Sequence, residues 1–294
     1  MAGSTEFMAT GLAINGQAYC YVRVLPLISY QIQDFNPQIM CGTLDHLSTR
    51  MAPGIQLHGW RVLMMPNPGE LDLLLPLIGT TESTNVFTPT DTLTEFTVAV
   101  RLKSDTAYVW STASCKVDKA LFRAQLGANP LMLQLDMIGK SSSVGSTFSP
   151  TGTISGAPYE WTTTTGAVSI GGTTRACRSM VFLYDNHIVT RFNNSVTADA
   201  VQNIMRTTHF GFDTPFTDDE DDLLDTAIGS SRVDGIAGSV TFTKSTKSFQ
   251  ISVPKMVWEA KPPSILSKSQ DIRLDQYYLG IKGTDPVVSF TNVP

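Results

Sequence analysis

The sequence predicts a mainly β protein made of two tandem, related β-sandwich or barrel domains, each with one short flanking α-helix. Two observations favour this fold class. Short runs rich in β-branched and aromatic residues recur between turn residues, and the two halves of the chain share an order of motifs. The 42% of hydrophobic residues exclude a disordered chain. The length of 294 residues fits two domains of about 150 residues each.

Alternation of apolar and polar residues predicts the strands. The pattern is clean in residues 96–102, 239–243 and 249–253. In such a run every second side chain points to the same face of a sheet. We therefore expect strands with one buried face.

Two segments predict helices, and both are short. The first spans residues 68–78, with Asn67 as its N-cap and Gly79 at its end. The second spans residues 198–205, with Thr197 as its N-cap and an acidic residue near its start. Helices of this length are not stable alone, so we expect each to pack against a sheet.

The two halves of the chain resemble one another. A valine, a lysine, an aromatic residue and an alanine recur at identical spacing: Val117, Lys119, Phe122 and Ala124 in the first half, and Val253, Lys255, Trp258 and Ala260 in the second. Further on, residues 133–140 resemble residues 272–275 and 280–282. Upstream, each half contains, in this order, a predicted helix, a long polar loop and a strand with alternating apolar residues. This agreement predicts a duplication that yields two related domains.

The duplication suggests domain boundaries. We expect a flexible N-terminal segment over residues 1–12, in which residues 1–7 would be an added leader and Met8 the native start. A first domain would span residues 13–144, and a second would span residues 145–294. The Ser-, Thr-, Gly- and Pro-rich residues 145–165 are typical of a linker or a long exposed excursion.

The charge is low and unevenly distributed. Only 16% of residues are charged, which favours a surface that is rich in Ser and Thr or buried against partners. The net charge of −5 excludes a basic nucleic-acid-binding chain. Most of the acidity lies in residues 213–225, which include the run Asp218, Asp219, Glu220, Asp221 and Asp222. Three interpretations stay open for this run: a solvated loop, a loose cation site, or a segment that contacts a partner or lines a DNA conduit.

No motif indicates an enzyme. The sequence contains neither a G-x-S-x-G nor an H-E-x-x-H pattern, and its four cysteines and four histidines are scattered. Asp185 and His187 could form part of a triad, but no local motif marks an activated nucleophile. The longest apolar run, residues 71–78, is far shorter than the ~20 residues of a membrane-spanning helix.

Several segments carry a resemblance to a known family. They are residues 50–54, 59–66 and 70–79 in the first half, and 177–186, 191–197 and 287–292 in the second. In their order these segments resemble the major tail tube proteins of long-tailed bacteriophages. The likeness extends over most of the chain from about residue 45, and the order of elements carries it rather than any one match.

The resemblance implies a structural virion protein without catalytic residues, cofactors or membrane insertion. Such proteins are made in the host cytoplasm and form stacked rings, a conduit through which double-stranded DNA passes without sequence-specific binding. Tape measure and tail-end proteins would be further partners. Rings are hexameric or, where two tube domains are fused, trimeric with pseudo-six-fold symmetry, and the duplication favours the trimer. The acidic run is a candidate ring-contact or lumen loop. A decoration or adhesion β-sandwich and a β-scaffold hydrolase are the alternatives.

Overall fold

The computed structural model describes residues 10–34, 51–102, 108–125, 129–152, 154, 156–161, 166–215, 234–258 and 273–294. Within this part the chain is mainly β, as predicted. The strands are β1 (Gly11–Ile14), β2 (Gln17–Ala18), β3 (Arg23–Pro26), β4 (Ser29–Asp34), β5 (Met51–Met64), β6 (Thr80–Ser83), β7 (Val86–Pro89), β8 (Phe96–Arg101), β9 (Val109–Gln125), β10 (Asn129–Gly139), β11 (Ser141–Gly145), β12 (Gly166–Ile170), β13 (Thr173–Arg175), β14 (Ser179–Asp185), β15 (Ile188–Arg191), β16 (Ala200–Asn203), β17 (Thr207–Pro215), β18 (Ile236–Lys244), β19 (Lys247–Trp258), β20 (Arg273–Gly280) and β21 (Ser289–Val293). The three strands that alternation predicts most clearly correspond to β8, β18 and β19.

The first predicted helix is confirmed. It consists of α1 (Pro68–Leu74) and a 3-10 turn (Leu75–Ile78). The side chain of Asn67 accepts a hydrogen bond from the backbone N–H of Glu70, and the Glu70 carboxylate accepts one from the backbone N–H of Asn67. Gly79 ends the turn with φ of 95°, a left-handed conformation that glycine adopts without strain.

The second predicted helix is wrong. Residues 200–203 form β16, which pairs with β15 in a two-stranded hairpin. The carboxylate of Asp199 accepts a hydrogen bond from the backbone N–H of Asn193, and the backbone N–H of Asp199 donates one to the carbonyl of Arg191. These bonds close the hairpin, so the polar residues that resemble a helix start serve a turn instead. The long polar loop expected after the first helix corresponds to residues 80–95, and these include the hairpin of β6 and β7.

One antiparallel sheet runs through both halves of the chain. Its eight strands follow the order β3–β5–β10–β9–β14–β17–β20–β19. The pairing of β9 with β14 crosses the boundary expected at residue 144. Beyond this sheet, β1 and β11 extend the pairing of the first half, and β12, β18 and β21 extend that of the second.

The hydrophobic core is also continuous between the halves. Phe122 of β9 packs with Phe182 of β14, Phe249 of β19 and Phe290 of β21, with ring centroids 5.8–6.2 Å apart. Tyr159, in the segment expected to be a linker or exposed excursion, is fully buried and stacks on Phe249. The core therefore joins elements far apart in sequence.

Candidate assembly surfaces

The eight-stranded sheet has a core face and an open face. On β5, Trp60, Val62 and Met64 are fully or almost fully buried, whereas Arg61 and Leu63 between them are partly exposed. β9, β14 and β17 show the same alternation. The alternate side chains on the other side of these strands are partly exposed among the described residues, and we call this side the open face.

Two ion pairs lie on the open face. The guanidinium of Arg61 on β5 donates two hydrogen bonds to Asp136 on β10, with N–O distances of 2.7 and 2.6 Å. The ammonium of Lys119 on β9 lies 3.0 Å from the carboxylate of Asp185 on β14. The hydrogen bonds to these carboxylates raise the pKa of Arg61 and of Lys119. Both cations are therefore neutralised by carboxylates across neighbouring strands.

The residues of the predicted duplication lie on two long strands. Val117, Phe122 and Ala124 of β9 point into the core, and Val253 and Trp258 of β19 do the same. The lysines lie on the opposite side of each strand: Lys119 pairs with Asp185, and Lys255 is partly exposed. Ala260 lies outside the described residues, and so does the acidic run of residues 218–222.

The two halves of the sheet meet where β9 pairs with β14. Seven consecutive residue pairs form this junction, from Ser179 opposite Gln125 to Asp185 opposite Lys119. Immediately after β14, the buried Asn186 side chain donates hydrogen bonds to the carbonyls of Ile78 and Val117, each at 2.9 Å. The junction thus combines backbone pairing, an ion pair and a buried amide.

The two lateral edges of the sheet are open within the described residues. On one edge, β3 pairs with β5 alone, and Val22 just before it is 53% exposed. On the other edge, β18 covers β19 only as far as Met256, which leaves Val257 and Trp258 paired with β20 alone. An open edge offers unpaired N–H and C=O groups to another strand.

A two-stranded arm extends from one end of the sheet. Residues 58–64 of β5 pair with β10 inside the sheet, whereas residues 51–57 pair with β4 and with no other strand of the described residues. At about 3.3 Å per residue, this arm continues β5 by roughly 23 Å. Its exposed apolar side chains are Tyr30, Ile32, Met51, Ile55 and Leu57. Sequence reasoning missed the arm, although apolar residues alternate along residues 51–57.

The hairpin of β15 and β16 lies at the same end of the sheet as the arm. The backbone N–H of Gln56 in the arm donates a hydrogen bond to the carbonyl of Val196, between β15 and β16. Val189, Ile204 and Met205 near this hairpin are exposed apolar residues. They line a shallow cavity of about 450 Å³. This end of the molecule therefore presents two neighbouring apolar hairpins.

Asp185 and His187, the expected fragment of a triad, also line this cavity. His187 Nε2 lies 2.8 Å from the hydroxyl of Thr207, but His187 Nδ1 lies 3.7 Å from Asp185, too far for a hydrogen bond. Asp185 instead accepts the backbone N–H of His187 and pairs with Lys119. This arrangement does not orient His187 as the base of a triad.

Neither a cluster of metal-ligating side chains nor a membrane-spanning helix is found among the described residues. There, no group of three His, Cys, Asp or Glu side chains could hold a metal ion. In the same part of the chain, no helix is long and apolar enough to cross a membrane.

The sequence matches one protein family over most of its length. No curated protein matches the chain. The family described as phage tail tube protein matches residues 62–280, a span that begins in β5 and ends with β20 and thus covers most of the continuous sheet. The chain therefore belongs to the phage tail tube proteins, structural components of the virion tail that self-assemble into the tube through which DNA is ejected.

Proposed function

We propose that three copies of this chain form each ring of the tail tube, and that each copy supplies two tube domains in a pseudo-six-fold arrangement. The observation that supports this proposal is a repeated block of four strands. The blocks β3–β5–β10–β9 and β14–β17–β20–β19 are both antiparallel, and in both the third and fourth strands exchange places relative to chain order. A duplicated domain explains why this order occurs twice.

Residue pairing within the blocks supports the equivalence of the two blocks, but it matches Leu133 with Tyr278 rather than with Ile272, its counterpart in the sequence repeat. Leu133 lies opposite Phe122 in the first block, and Tyr278 lies opposite Trp258 in the second. The next residue of β10, Gln134, lies opposite Leu63 of β5. Likewise, the next residue of β20, Leu279, lies opposite His209 of β17. The aromatic residues of the sequence repeat, Phe122 and Trp258, thus have the same place in their blocks.

The sequence after β5 and after β17 also agrees, with four more residues between strand and motif in the second half. Five residues in and around α1 have an identical or similar residue 150 positions later. The first set is Asn67, Glu70, Leu74, Ile78 and Gly79, and the second is Thr217, Glu220, Leu224, Ile228 and Gly229. By this correspondence the acidic run matches the sequence of α1 rather than that of an inserted loop. The comparison is one of sequence, because residues 216–233 lie outside the described part of the chain.

The junction between the two blocks is a template for the junction between copies. Within one chain, the last strand of the first block, β9, pairs with the first strand of the second block, β14. The equivalent pairing between copies joins β19 of one chain to β3 of the next. With Leu63 taken as the equivalent of His209, the register of the internal junction would place Val257 opposite Arg23 and Trp258 opposite Val22. Repetition of this head-to-tail contact closes a ring and leaves no open sheet edge.

The open face of the sheet then lines the channel. Arg61 and Lys119 are neutralised there by Asp136 and Asp185, which limits the attraction of these cations for DNA phosphates. Tape measure and tail-end proteins are the further partners of such a tube. The chain is made in the host cytoplasm and acts as a structural protein, not as an enzyme.

Cross-linking tests the proposed junction. Arg23→Cys and Val257→Cys together should form disulfide-linked dimers and trimers of chains under mild oxidation, whereas each single variant should not. Val144→Cys with Val257→Cys is the matched control, because Val144 lies on β11 outside the eight-stranded sheet. Equal cross-linking of both pairs, or none for the first pair in assembled rings, would contradict this register.

A further inference from the structure

A two-residue turn in the first half of the chain joins an asparagine directly to a glycine. Asn15 and Gly16 connect β1 to β2, and Ile14 pairs with Gln17 on either side of them. Their φ angles of 52° and 78° lie in the left-handed region, which asparagine and glycine adopt in tight hairpins. In the whole sequence this is the only asparagine that a glycine follows.

The two groups of this turn that could react with each other are both free. Asn15 and Gly16 are exposed. The backbone N–H of Asn15 donates to the carbonyl of Thr97, and the carbonyl of Gly16 accepts from the backbone N–H of Thr151, both at 2.8 Å. Among the described residues, neither the carboxamide of Asn15 nor the backbone N–H of Gly16 has a hydrogen-bond partner. No hydrogen bond therefore holds these two groups apart.

The turn also has room to change its conformation. A Cβ atom added at Gly16 would meet no heavy atom within 4 Å, and β2 consists of only two residues. Rotation of the backbone at Asn15 therefore breaks few contacts, and exposed turns open in this way at little cost in free energy. Such a rotation brings the backbone nitrogen of Gly16 next to Cγ of Asn15. Since glycine has no Cβ, nothing on the following residue hinders the approach.

We infer that Asn15 is a site of spontaneous covalent modification, which converts the asparagine to aspartate and isoaspartate. The backbone nitrogen of Gly16 gives up its proton and attacks Cγ of Asn15, so that a C–N bond forms and the side-chain nitrogen leaves as ammonia. Water then opens the resulting five-membered succinimide at either of its two carbonyl groups. The reaction consumes one water, releases one ammonia and involves no oxidation.

Both products change the properties of the turn. Each carries a new carboxylate, which adds one negative charge to the net charge of −5. Isoaspartate also lengthens the backbone by one methylene group, so that two residues no longer connect Ile14 and Gln17 with the geometry of the original turn. The carbonyl of Gly16 would then move away from the N–H of Thr151. The hairpin of β1 and β2 should therefore loosen as the protein ages.

Two other turns of the chain provide matched comparisons. The two-residue turn between β6 and β7 contains Asn85, which has a φ of 64° but is followed by a valine. Its Cβ should hinder the attack, so Asn85 should stay intact. Residues 171–172, both glycine, form the turn between β12 and β13 with φ angles of 63° and 82°. Asn15→Gly copies this turn, so it should keep the hairpin and remove the reactive carboxamide.

Peptide mapping of aged protein tests this inference. The full chain is incubated at mildly alkaline pH, digested and analysed by mass spectrometry. The peptide that contains Asn15 should gain about 1 Da with time and separate into aspartate and isoaspartate forms. In the same digest, the peptide that contains Asn85 should convert at least about tenfold more slowly. Asn15→Gly should show no gain of mass in the peptide that contains residue 15.

The outcomes are independent of how many chains form a ring. Gly16→Ala should slow the conversion of Asn15 at least about tenfold, because its Cβ hinders the attack. Equal conversion of Asn15 and Asn85 would overturn the inference, and so would an Asn15 peptide that stays intact. Conversion to aspartate without isoaspartate would indicate direct hydrolysis of the carboxamide and would overturn the route through Gly16. These results are read on the parent chain itself, so they hold even if Gly16→Ala fails to fold.

Discussion

The buried amide of Asn186 should contribute strongly to the stability of the junction between the two halves. Its side chain is 1% exposed, and its Nδ2 donates to the carbonyls of Ile78 and Val117. Asn186→Ala would leave both carbonyls without this donor, at a cost of about 1–3 kcal/mol for each buried group. Removal of its Oδ1, which has no hydrogen-bond partner among the described atoms, offsets part of that cost. We expect the free energy of unfolding to fall by about 2–4 kcal/mol.

Urea unfolding at a fixed protein concentration measures this change, because assembly would otherwise shift the apparent stability. Asn203→Ala is the matched control. That exposed amide makes a longer hydrogen bond of 3.3 Å to the carbonyl of Asp91, so its loss should change the unfolding free energy by less than about 0.5 kcal/mol. If the two variants were equally stable, the buried amide would not hold the junction together, and the reasoning would be refuted.

Three further changes test other parts of the account. Asp136→Asn leaves the cation of Arg61 unpaired on the open face, so tubes should bind duplex DNA several-fold more tightly at low salt, measured by sedimentation, with the effect lost near ~0.5 M salt. Gly79→Ala should lower the unfolding free energy by about 2–4 kcal/mol, because a Cβ there would overlap a buried leucine at a positive φ, whereas Gly16→Ala, also at positive φ but in open space, should cost about 1 kcal/mol. Burial raises the pKa of Glu70 above 4.5, so the folded state binds this proton more tightly than the unfolded state. Stability should therefore fall as pH rises from 4.5 through the raised pKa, and the pH slope from urea melts should be shallower in Glu70→Gln.

Local signals made the first helix and the strands predictable. Asn67 and Gly79 act within one turn of α1, and the alternation along β8, β18 and β19 reports directly which side chains are buried. The lysine and aromatic residues of the sequence repeat lie on β9 and β19, the two long strands that each end a block of four in the sheet. These features depend on contacts close in sequence, or on a face that one strand defines by itself.

The rest depends on contacts that are distant in sequence. Residues 198–205 have the composition of a helix start, but Val201 is buried and Asp199 closes a turn with Asn193, so the hairpin prevails over helix propensity. Tyr159 is buried against Phe249 although its neighbours are rich in Ser, Thr and Gly. The order of strands in the sheet and the apolar arm result from long-range pairing, which composition does not reveal.

The number of chains in each ring tests the central claim most directly. Native mass spectrometry of isolated rings, combined with class averages from electron microscopy, should give three chains per ring and an outline with pseudo-six-fold symmetry. The repeated block of four strands would then supply six tube domains around the channel. Rings of six chains, or a chain that stays monomeric at high concentration, would contradict the account.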